Sequence, residues 1–96
     1  MSSSADRLAV TVYTTGIRCQ QCRLTRLRLE ELGIPYREVD LTADANAAAR
    51  EFITDGLGYS EAPVVIVDGE PENHWSGFRP DLLDLLAGRV AAAVSA

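Results

Sequence analysis

The first apolar run of the chain, Leu8-Ala9-Val10-Thr11-Val12-Tyr13, is rich in β-branched residues and closes on Thr14-Thr15-Gly16, a pattern that predicts a strand and then a turn. The spacing then changes. Cys22, Thr25, Leu29 and Leu32 recur three and four residues apart, the period of one helical face, so a helix is expected from Cys19 or Gln20 to Leu32. Leu24 and Leu27 fall off that face. Gly33 stops the helix and Pro35 follows it. A second strand is read over Pro35 to Leu41. Asp44 is placed to cap a helix covering Ala45 to Thr54, where Ala47, Ala48 and Ala49 favour helix, and Asp55-Gly56-Leu57-Gly58 closes it.

Ala62-Pro63-Val64-Val65-Ile66-Val67 is nearly all apolar, as expected of a strand buried on both faces. Asp68-Gly69 signals a hairpin turn into a brief strand near Asn73 to Trp75. A last helix opens at Pro80 or Asp81, carries Leu82, Leu83, Leu85 and Leu86, and is expected to fray after Gly88. The order is β-α-β-α-β-β-α. A helix joins the first two strands, so they should run parallel, and the last two form a hairpin. The fold class expected is therefore α/β, with a four-stranded mixed sheet flanked by three helices.

Ninety-six residues suffice for one core and not two. The domain is read as residues 8–90, between a disordered arm at 1–7 and a frayed tail at 91–96. The arm has neither the basic region nor the apolar stretch of a secretion signal, and no apolar run is long enough to span a membrane. A cytoplasmic protein is expected. The net charge of -5 argues against nucleic acid as the main partner, because phosphate binding wants a basic surface. Nothing in the sequence calls for a second copy of the chain, so a monomer is expected.

The two cysteines stand as Cys19-Gln20-Gln21-Cys22. A bridge across so short a loop constrains little chain and adds little stability, which points to chemistry instead. The motif follows a strand and opens a helix, where exposed N–H groups and the helix dipole favour a thiolate. Cys19 at the tip should attack, helped by the charge of Arg18, Arg23 and Arg26. Cys22, one turn inward, should resolve the mixed disulfide. Gln20 and Gln21 are read as tuning the potential. A structural zinc site needs four ligands, and only His74 is at hand to supplement the pair. No metal is therefore expected. His74 itself reads as a solvated loop residue.

The strand, the Cys-x-x-Cys helix, Leu57-Gly58-Tyr59, Ala62-Pro63-Val64-Val65 and Trp75-Ser76-Gly77-Phe78-Arg79-Pro80 together resemble an NrdH-type redoxin, a glutaredoxin-like member of the thioredoxin superfamily. The resemblance covers roughly Val10 to Leu86, and its hexapeptide is the specific part. It implies a hydrogen donor for the large subunit of a class Ib ribonucleotide reductase, in deoxyribonucleotide synthesis. The donor would be reduced by NADPH-dependent thioredoxin reductase and would bind no cofactor beyond its own redox-active disulfide. It also implies that Pro63 is a cis-proline facing the cysteines and that the backbone of Ala62 pairs with an extended client. The loop carrying Trp75, Ser76, Phe78 and Arg79 would lie beside the site, with the Trp75 ring open to a partner. The plainer reading is that Trp75 and Phe78 cover the core and that Arg79 caps or pairs locally.

The sequence departs from that family in three places, one of them Gln20, which stands where valine is common. Five residues separate Tyr13 from Cys19, one more than the family leads one to expect, with Gly16-Ile17-Arg18 before the first cysteine. The Asp68 to His74 loop is also long. Two other functions compete. A glutathione-dependent glutaredoxin would tend to carry a Gly-Gly pair and a recognition Asp near the last helix. Here Ser76-Gly77-Phe78-Arg79 stands instead, although Asp81 leaves some room. A redox-sensing regulator of transcription shares the Cys-x-x-Cys and a phrase like Leu32-Gly33-Ile34-Pro35-Tyr36, but such proteins are usually longer.

Overall fold

The computed structural model describes residues 8–16 and 18–95, with side chains as far as Arg89. The arm read over 1–7, and Ile17 ahead of the cysteines, lie outside the described residues. Strand β1 is Val10–Thr14, helix α1 Gln20–Leu32 and strand β2 Tyr36–Asp40. A short helix α2 (Ala47–Glu51) sits between a tight turn at Asp44–Asn46 and a wide one at Phe52–Gly56. Strands β3 (Val64–Val67) and β4 (His74–Ser76) form the hairpin, and α3 is Pro80–Ser95. The sheet order is β2-β1-β3-β4, with β2 parallel to β1 and the other pairs antiparallel. The expected α/β class and the mixed sheet are both present.

Alternation along the strands explains the layers. Val10 and Val12 pair with Val67 and Val65, and Val65 pairs in turn with Trp75. These side chains pack with Leu29 of α1 and with Leu83 and Leu86 of α3 in one buried cluster. The alternate residues face the other way. Val64 joins Leu41 and Ile53 in a second cluster, with Tyr13, Val39 and Ile66 packed against it. Strand β3 is apolar throughout because both its faces are covered.

One local expectation changes. Asp44 does not cap a continuous helix: it begins the tight turn after Ala43, and neither that turn nor α2 has a side-chain cap. Instead the Asn46 side-chain amide donates to the Asp40 carbonyl at 2.9 Å, and Arg50 donates to that of Leu41 at 2.7 Å. These longer side chains reach carbonyls of the preceding loop that Asp44, an acceptor only, has no proton to satisfy. The connection after Asp68-Gly69 runs to Asn73, the long loop that the sequence shows, and β4 starts at His74. The α3 backbone is helical through Ser95.

At the end of α1, Gly33 takes a left-handed conformation (φ 73°) and its N–H bonds back to the Glu30 carbonyl. That closes the helix and hands the chain to β2, whose Tyr36 hydroxyl donates to Glu30 Oε2 at 2.7 Å. This bond, then partial burial and the Glu30 charge, push the phenol up to about 12. The folded state thus holds that proton more tightly than the unfolded chain, whose phenol titrates near pH ~10. Its contribution to stability is complete below that pH and is lost as pH rises through 12. An ultraviolet titration should show one late-titrating phenol that disappears in Tyr36→Phe. A spectrum unchanged by the substitution would refute the assignment.

Candidate redox site

The site begins with the strand-turn-helix that the sequence announces. Cys19 is the N-cap of α1, with extended backbone, and its Sγ accepts the Cys22 N–H at 3.1 Å. Its carbonyl accepts the Arg23 N–H, also at 3.1 Å, so both acceptors of one residue serve the open end of the helix. Cys19 and Cys22 form a disulfide, with Cα atoms 5.2 Å apart. The two sulfurs are not equivalent. Cys19 is half-buried, whereas Cys22 is 0% exposed and shares its inward face with Thr25 and Leu29.

Charge around the tip divides in two. Arg26 is occupied by Glu38 at 3.1 Å, which takes it out of the positive set expected near the thiol. Arg18 and Arg23 are exposed and make no ion pair with another described residue. A developing anion at Cys19 would meet these two cations, the Cys22 amide and the helix dipole, and each favours the ionised form.

The Ala62–Pro63 bond is cis and Pro63 is fully buried. Neither the N–H nor the C=O of Ala62 bonds to another described backbone group. The Pro63 carbonyl is taken by the Gly77 N–H at 2.8 Å. The next amide, that of Phe78, donates to Gln21 Oε1 at 2.8 Å. Gly77 holds φ +84°, a conformation that needs glycine, and a Cβ there would crowd Gln21 Oε1 at 3.1 Å.

The hexapeptide is therefore near the cysteines, but its side chains do not stand where the resemblance put them. Trp75 is only 6% exposed and lies in the cluster with Val65 and Leu83. Phe78 packs against the same cluster. The Trp75 ring is not open to a partner, because its cross-strand pairing with Val65 puts it on the inner face of β4. Ser76 ends β4 opposite Val64. Arg79 holds Asp81 by two bonds, of 3.1 and 2.9 Å, which keep the Asp81 carboxyl below its usual range. His74 is not a solvated loop residue either. It belongs to β4, is half-buried, and its Nδ1 lies 2.8 Å from the Tyr59 hydroxyl, ring edge against ring face. The alternation of β4 about the buried Trp75 was the signal that placed His74 on the opposite face.

The glutaredoxin family model matches residues 10–72 of this chain. The glutaredoxin-like protein NrdH of Salmonella typhimurium is 33% identical over 81 residues, covering 82% of this chain and 89% of the relative. The Gene 56 protein of Mycobacterium phage D29 is 34% identical over 80 residues, covering 80% of each. Among solved structures, the NrdH-redoxin from Escherichia coli, a glutaredoxin-like protein with a thioredoxin-like activity profile, superposes with a TM-score of 0.65 at 31% identity. That match covers 81% of this chain and 93% of the other.

Proposed function

The chain belongs to the glutaredoxin family, among its NrdH-type redoxins, and from that premise we propose that it carries electrons from thioredoxin reductase to a class Ib ribonucleotide reductase in the cytoplasm. It is a thiol–disulfide oxidoreductase with a redox-active disulfide. One observation carries the proposed division of labour: the two sulfurs of one bond differ in access, Cys19 at the helix tip and Cys22 sealed beneath it.

In the reduced protein Cys19 gives up its proton and its Sγ attacks one sulfur of a client disulfide. The client bond breaks, a Cys19–client disulfide forms, and one client thiolate leaves to be protonated. Cys22, once deprotonated, then attacks Cys19 Sγ. The mixed bond breaks, the second client sulfur leaves as a thiol, and the Cys19–Cys22 disulfide remains. Two electrons and two protons have passed to the client. The reductase returns them, with NADPH as their source. Ala62 offers its free backbone groups to the client strand meanwhile.

The glutathione reading is weakened by Arg79. The one acid that left room for it, Asp81, is held by that guanidinium. The test compares NADPH consumption with thioredoxin reductase against consumption with glutathione and glutathione reductase, insulin serving as the client. Turnover is expected with the first couple and only background with the second. Preference for glutathione would overturn the proposal.

A further inference from the structure

We propose that Gln21 is a positioning residue, whose carboxamide ties the cysteine helix to the platform on which the client strand lies. The inference rests on the client-pairing part of the reading above and assigns it a residue outside the reacting pair. Gln21 sits between the two sulfurs in sequence, but its side-chain oxygen bonds to nothing in its own helix. It accepts the Phe78 N–H at 2.8 Å, from 57 residues away. The adjacent Gly77 N–H points at the Pro63 carbonyl, also at 2.8 Å. Two consecutive amides of one loop thus grip the two halves of the site, one holding Gln21 and the other Pro63.

The loop is fixed at its other points. Phe78 packs into the main core cluster, and Gly77 is buried with a backbone that a side chain would strain. With the loop anchored, the Gln21 bond sets how far the first turn of α1 stands from Ala62-Pro63. A client must reach Cys19 and Ala62 together. Losing the bond frees that spacing and weakens client binding before it affects the sulfur chemistry.

The experiment uses Gln21→Met, which keeps the length of the side chain and removes the acceptor, beside Gln21→Glu, which keeps the acceptor and adds a charge. Insulin reduction driven by dithiothreitol gives KM and kcat, and hydrogen exchange reads the Phe78 amide. In Gln21→Met the Phe78 amide should lose protection and KM for insulin should rise about three- to tenfold, the worth of one hydrogen bond. In Gln21→Glu protection and KM should return toward the parent values, while kcat registers the charge beside the thiols. An unchanged KM despite lost protection would overturn the proposal, and so would a fall in kcat alone or equal defects in both variants. A parent protein that reduces no insulin would instead overturn the function proposed above, and the exchange of Phe78 would still show whether the bond exists.

Discussion

Cys19→Ser should drop disulfide reduction to the uncatalysed background, while Cys22→Ser should leave a protein that captures its clients and does not let go. The difference follows from the order of the two attacks. A serine hydroxyl at the helix tip stays protonated at neutral pH and does not open a disulfide, so the first step never begins. With Cys22 replaced, the tip thiolate still attacks and the client's first sulfur still leaves. The mixed disulfide then waits, because the group that would attack Cys19 Sγ is gone. Non-reducing electrophoresis of Cys22→Ser should show a one-to-one adduct with reductase or client that dithiothreitol releases. Cys19→Ser should show none. The same asymmetry is readable without mutation, because the buried Cys22 should alkylate far more slowly than Cys19 in the reduced protein. Equal alkylation rates, or adducts from both variants, would reverse or erase the assigned roles.

Much of this site was legible in the sequence because its parts are local. A β-branched run, a turn and a helical period around Cys22, Thr25 and Leu29 fix where the sulfurs sit without reference to the rest of the chain. The apolar run Val64 to Val67 likewise carries its own burial on both faces. What escaped depended on register. The length of the connection from Asp68 to Asn73 decides which residue of β4 meets Val65. Shifted by one position, Trp75 would face α2 instead of α1 and α3, and His74 would exchange places with it. Of the two readings of Trp75 the plainer one, core cover, is the one that the pairing bears out, whereas His74, read as solvated, could be placed only once its register in β4 was known. Gln21 was unreadable for a different reason. Its partner is a backbone amide, which every residue but proline possesses, so the sequence carries no mark of the bond. Arg26 shows the converse: its charge is visible in the sequence, but its neutralising partner Glu38 is supplied by a strand.

Because Trp75 is core, its removal is a stability experiment before it is a binding experiment. Trp75→Ala should lower the free energy of unfolding by about 3–5 kcal/mol, the range for deleting a large buried aromatic. Against the 5–15 kcal/mol typical of small domains, that is a large share. Two effects oppose each other at this position. The ring packs in the main core cluster with Val65 and Leu83, and truncation leaves a cavity there. Its Nε1 is buried with no hydrogen-bond partner among the described residues, so truncation also relieves an unpaired donor, a burden of about 1–3 kcal/mol. The first effect wins because alanine removes nearly all the contacts and only one polar atom. Trp75→Phe separates the two: it keeps much of the ring, sheds the orphaned N–H, and should cost markedly less than alanine. Trp75 is the only tryptophan, so denaturant unfolding must be followed by circular dichroism and not by intrinsic fluorescence. If Trp75→Ala unfolds at the parent's midpoint while losing affinity for the reductase, the ring belongs to a contact surface after all and its place in the core is wrong.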